Sequence, residues 1–135
     1  MSEVVYAVEP NLSAEEFQQV LVASSLAERR PAADLARLDR MLRGANLIVT
    51  ARLNGELVGI ARSLSDGAYA CYLSDLAVSQ AVQGKGIGNE LIQQTRRQVG
   101  PEVSVILLAA PMAVAFYEKI GMPRHPAAFM YRSER

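Results

Sequence analysis

The stretch Val82–Ile92, VQGKGIGNELI, sets glycines at 84, 86 and 88 at the mouth of a helix-like run. It follows an alternating, β-rich segment that ends near Val78, so the local order is strand, glycine loop, helix. Glycine is entropically unfavourable at such a place unless a positive φ or a missing Cβ is needed. An anion supplies that need. The first amides of a helix lack partners, and the helix dipole adds about half a positive charge there. Glycines let successive N–H groups come close to phosphate oxygens. A Walker A loop requires Ser or Thr after Gly-Lys, whereas Lys85 is followed by Gly86. A dinucleotide loop requires Gly-x-Gly-x-x-Gly early in a parallel sheet, whereas the spacing here is Gly-x-Gly-x-Gly and a meander precedes it. The pattern Gln/Arg-x-x-Gly-x-Gly/Ala is met without a gap by Gln83, Gly86 and Gly88.

The rest of the chain gives the loop its context. VVYAV (4–8) reads as a short strand. Ser13 and Glu16 fit a capping box ahead of a helix with Phe17, Val20, Leu21 and Ser24 on one stripe. A second helix over 32–43 carries Leu35, Leu38, Met41 and Leu42 on one side and ends at Gly44. Asn54-Gly55 and Asp66-Gly67 are turn signals that divide three antiparallel strands at 46–53, 56–65 and 69–78. A helix over 87–99, a buried strand at 103–109, a short helix in MAVAFYEKIG and a last strand in AFMYR complete the order. The expected class is α+β, in one domain over 1–135 with a mixed, mostly antiparallel twisted sheet and flanking helices.

Half of the residues are hydrophobic, enough for a core without staples. Lys plus Arg equals Asp plus Glu at 14 each, which argues against nucleic acid as the main partner. Cys71 is the single cysteine, so it can form no internal disulfide, and it reads as packing; no metal is expected. The chain opens with no basic-then-apolar leader and has no membrane-length apolar run, so a cytoplasmic protein without membrane contact is expected.

LAVSQAVQGKGIGNELI resembles the most diagnostic segment of the GNAT superfamily of N-acetyltransferases, which use acetyl-CoA. AVAFYEKIGM resembles that family's C-terminal segment, with Ala113, Phe116, Tyr117, Lys119 and Gly121 matching. The family usually has Asn three residues before that Ala; here Ala110 stands there, followed by Pro111. The resemblance implies that Leu76, Ala77 and Val78 form the strand end facing pantetheine and the acetyl carbonyl, with the Val78 amide polarising the carbonyl. It implies that Gln83, Gly84, Lys85, Gly86, Ile87 and Gly88 hold the pyrophosphate, with Phe116 beside the donor.

Acetyl transfer to an amine requires a held thioester, an uncharged amine, a stabilised oxyanion and a proton for the leaving thiolate. The resemblance makes Tyr117 the candidate acid, since a phenol is protonated at neutral pH. Family members often carry Glu or His four or six residues ahead of the Val78 position, where this chain has Ser74 and Tyr72. Asp75 occupies a position that is often acidic in members acting on polyamines or amino sugars. Strand alternation points Asp75 away from Ser74 unless the strand bulges, so it reads equally as a base or as a structural carboxylate. A water relayed through Ser74 and Tyr72 serves as well, and an amine of low pKa needs no strong base. Arg43 and Arg62 read as solvated surface, and His125 as part of a surface loop. The expected acceptor is the primary amine of a small molecule. The alternatives are a peptide or protein amine, a CoA-binding module without turnover, and a nucleotide-binding domain. The apolar last strand at a sheet edge predicts a homodimer.

Overall fold

In the computed structural model, which describes residues 3–134, five strands form one sheet in the order β1-β2-β3-β4-β5. The strands are β1 (Val4–Val8), β2 (Leu47–Leu53), β3 (Glu56–Ser65), β4 (Ala70–Val78) and β5 (Ser104–Ile106). The first four are antiparallel neighbours, and β5 lies parallel to β4. Asn54 has φ 53° in the tight β2–β3 turn, as an Asn-Gly hairpin requires. Asp66 holds the next turn, its Oδ1 accepting from the amides of Ala68, Tyr69 and Ala70.

The helices cover both faces of the sheet. Helix α1 (Ala14–Ser24) starts where Ser13 Oγ accepts from the Glu16 amide at 3.2 Å. The Glu16 carboxylate does not return to complete a capping box but reaches Arg52 at 2.8 Å. Helix α2 (Leu35–Gly44) begins later than the expected start at 32, because Asp34 Oδ1 accepts from the Arg37 amide and so becomes the N-cap. Between them lies a single 3₁₀ turn at Leu26–Arg29. Phe17, Leu21, Leu38 and Leu42 pack with Ile48, Ile60 and Ala77 of the sheet. Burial of each large side chain contributes roughly 1.5–3 kcal/mol. Helix α3 (Ile87–Val99) places Ile87, Leu91 and Ile92 against Val49, Ala61 and Leu73 on the opposite face. Helix α4 (Val114–Lys119) follows a 3₁₀ turn at Pro111–Ala113.

Two expected strands differ. The run at 103–109 pairs only over Ser104–Ile106, and Ile106 and Leu108 are exposed, so β5 is a short edge covered on one side. The AFMYR segment forms no strand. Phe129 and Tyr131 stand in solvent, and among the described residues no strand lies at the β5 edge to receive them.

Candidate active site

The parallel pairing of β4 with β5 covers Ala70–Tyr72 against Ser104–Ile106 and then stops. From Leu73 to Val78, β4 is paired on its β3 side alone among the described residues. Its free edge leads into the glycine loop. Gln83 reaches back, Nε2 donating to the Val78 carbonyl at 3.0 Å. Gly84 and Gly86 have φ of 82° and 81°, conformations disfavoured for residues with a Cβ, and nothing lies within 4 Å of where a Cβ would point. Gly86 is the N-cap of α3. The loop therefore presents open space to the unpartnered amides of the helix start. Lys85 is exposed beside it, and Ile87 anchors the turn in the core.

Gly88 serves a different purpose. A Cβ there would lie 2.9 Å from Cζ of Phe116, so the missing side chain is what lets α4 close on α3. Phe116 meets Tyr117 edge to face, with centroids 5.1 Å apart and planes at 74°. Both rings pack onto the same apolar cluster as Leu76 and Val78. Burial pushes the Tyr117 phenol above its ordinary pKa of 10.0, so it holds its proton. The two sequence segments that carry the resemblance thus meet through Gly88 and Phe116, and Tyr117 packs on the apolar cluster that the end of β4 also joins.

The acidic position resolves differently. Pairing of β3 with β4 goes from Arg62↔Asp75 to Ser63↔Leu73, which leaves Ser74 as the extra residue of a β-bulge. The bulge brings Ser74 and Asp75 onto one arginine. Arg62 Nε donates to Asp75 Oδ2, and its Nη2 donates to Ser74 Oγ at 3.0 Å. Arg30 Nε donates to Asp75 Oδ1, and its Nη2 to the Ser74 carbonyl at 2.9 Å. Each carboxylate oxygen takes a guanidinium N–H and the side chain is fully buried, so Asp75 is closed to an incoming amine. Arg62, read from sequence as solvated, is 7% exposed and also donates to the Met41 carbonyl. Arg30 is the residue that sequence reading missed. It lies 45 positions from its partner, and no local pattern marks it. Tyr72 is partly exposed at the last rung shared with β5. Cys71 is buried and its thiol is pushed up by burial, in keeping with packing. His125 is exposed, its Nδ1 accepting from the Ala127 amide.

This arrangement of split strand, glycine loop and helix is that of an acyltransferase fold. The chain belongs to the GNAT acetyltransferase family, whose domain model matches residues 8–129. The uncharacterized N-acetyltransferase ycf52 of Pyropia yezoensis is 37% identical over 86 residues, 60% of this chain and 48% of that protein. Histone acetyltransferase TAP1 of Glycine max is 32% identical over 75 residues, 52% of this chain and 31% of that protein. The chain thus spans about half the length, or less, of the curated relatives it matches. A GNAT-family acetyltransferase from Streptococcus pneumoniae superposes with a TM-score of 0.74 at 19% identity, over 98% of this chain and 99% of that one. An aminoglycoside N-acetyltransferase solved with CoA gives 0.72 at 15%, over 100% and 97%. These two likenesses are of fold.

Proposed function

We propose that the protein transfers the acetyl group of acetyl-CoA to the primary amine of a small molecule by direct attack. The observation that carries this reading is the open, positive-φ loop at the start of α3, set beside the end of β4 that β5 leaves unpaired. The amides of Gly84 to Gly88 receive the pyrophosphate, and Leu76 to Val78 receive the pantetheine along the free edge. The Val78 amide polarises the thioester carbonyl and then holds the oxyanion. The amine nitrogen bonds to the carbonyl carbon, and the C–S bond breaks. One proton leaves the amine for a water held by Ser74 and Tyr72, and another passes from Tyr117 to the departing thiolate. Solvent restores both groups. Asp75 is kept out of this sequence because it is fully buried and paired with Arg30 and Arg62. We further propose a homodimer, since Phe129 and Tyr131 are exposed with no covering element among the described residues.

Thiol release from acetyl-CoA across a panel of small amines tests the activity. Turnover should appear with some amines and vanish in Gly86→Val, whose side chain would fill the space above the loop. Release with peptide amines alone would move the acceptor to the protein class. CoA binding without release by any amine would leave a sensing module.

A further inference from the structure

The face of the sheet that carries α1 and α2 is covered only in part. Along β3 and β4 the cover reaches Arg62 and Asp75, which are buried, and then ends. The next rung is open. Leu64 pairs with Tyr72 and Tyr72 pairs with Ile106, so three adjacent strands set these side chains side by side on one face. They are 42%, 41% and 54% exposed. The bulge at Ser74 puts Tyr72 on the same face as Asp75, three positions on. Leu108, just beyond the end of β5, is exposed as well. The ions flanking the rung on β3 and β4 are engaged: Arg62 bonds Asp75, and Asp66 accepts from three amides of its own turn.

We infer that the acceptor amine carries an apolar body, alkyl or aryl, which lies across the rung of Leu64, Tyr72 and Ile106. The inference rests on the acetyl-transfer reading above and deepens it. That reading sets the amine beside Tyr72, which helps to hold the water that takes its proton. Tyr72 and Ile106 are the last paired residues before β4 and β5 part, so the rung is the closed end of the split. A donor held by the glycine loop and the free edge of β4 runs toward that end, and its acetyl end is the one nearest the rung. The α3 side of the split is filled, because Leu76, Val78, Val105, Leu107, Phe116 and Tyr117 pack on the α3 cluster. An acceptor therefore comes in from the α1–α2 side, over Tyr72 and Ile106. Two strand spacings make the rung about 10 Å wide, enough for a ring or a short alkyl chain. Burying such a body there removes apolar surface from water on both partners. The outer edge of β5, where a second copy would pair through its backbone, lies in the plane of the sheet, so a dimer formed there leaves this face open.

The test compares ethylamine with hexylamine, which are alike in basicity and differ in apolar length. The wild-type protein should use hexylamine with kcat/KM higher by about tenfold or more. Ile106→Ser should cut that preference by about three- to tenfold, and leave ethylamine turnover and the KM for acetyl-CoA unchanged. Leu64→Ser is the second variant, should the first loosen the short β5. Equal use of the two amines by the wild-type protein overturns the inference, and so does a preference unmoved in both variants. If Ile106→Ser splits a dimer by light scattering while the preference holds, the rung is an interface between copies and the inference falls. If no amine of the panel is turned over, the catalytic reading fails by itself. In that case, or if these two amines alone go unused, calorimetry of both on the CoA-loaded protein decides the inference. Hexylamine binding no tighter than ethylamine would then overturn it, and tighter binding weakened by Ile106→Ser would uphold it.

Discussion

Tyr117 is one of two adjacent aromatic residues on α4, and burial separates it from an ordinary surface phenol. Its pKa is raised above 10.0 by desolvation, so at neutral pH it is a proton donor and not a base. Tyr117→Phe keeps the edge-to-face contact with Phe116 and deletes the proton. We expect kcat to fall by about 10²–10⁴-fold, with acetyl-CoA binding and melting temperature nearly unchanged. The deficit should shrink for an acyl donor whose thiol is more acidic. The alkaline limb of the wild-type pH profile should begin above the usual tyrosine range, since the protonated form is the active one. A kcat within about threefold of wild type would make Tyr117 a packing residue.

At the scale of elements, what could be read from sequence divides by distance along the chain. The β2–β3 hairpin follows from Asn54-Gly55, the start of α1 from Ser13, and α3 from its stripe of Ile87, Leu91 and Ile92. Each is a local signal. The apolar stripe of α2 begins only at Leu35 and does not mark the start; the Asp34 cap does. The β4 bulge was open in sequence, because alternation alone cannot say which residue is skipped. A second long-range cluster joins β1, α1 and β2: Arg52 lies between Glu9 and Glu16, at 2.8 Å from each. The Arg52 hydrogen bond is the main cause holding the Glu9 carboxyl below its ordinary value of 4.5, and the Thr50 hydroxyl adds to it. A lowered carboxyl pKa stabilises the native state above the unfolded-state value, and that stability is lost as pH falls through the native one. Urea midpoints should therefore drop on going from neutral pH to about pH 3, and less steeply in Arg52→Met. Equal acid sensitivity in the two proteins would remove Glu9 from the account.

For the whole molecule, the unfinished part is the sheet edge. β5 pairs three residues with β4, and its Ile106 is 54% exposed. Exposed apolar edges promote pairing with another chain. We expect light scattering at tens of micromolar to give twice the monomer mass, and Phe129→Asp with Tyr131→Asp to reduce it to one. A monomer mass for the unaltered protein would refute the dimer. The family resemblance was legible because its two segments are each contiguous. The tail was not, because an apolar stretch signals burial without saying against what.

The knot of Arg30, Arg62 and Asp75 also bears on the order in which the chain acquires its structure. It joins positions 45 and 13 residues apart and draws in the Met41 carbonyl of α2, so it closes only when helix hairpin and meander have met. Contacts that close long loops bring their reward late in folding. Asp75→Ala would strand two guanidinium groups, one of them buried, and should destabilise the protein by about 3–5 kcal/mol. That loss should fall on the unfolding limb of the chevron, which rises, while the refolding limb stays nearly in place. Slowed refolding of comparable size would mean that the knot forms in the nucleus, before the sheet it fastens.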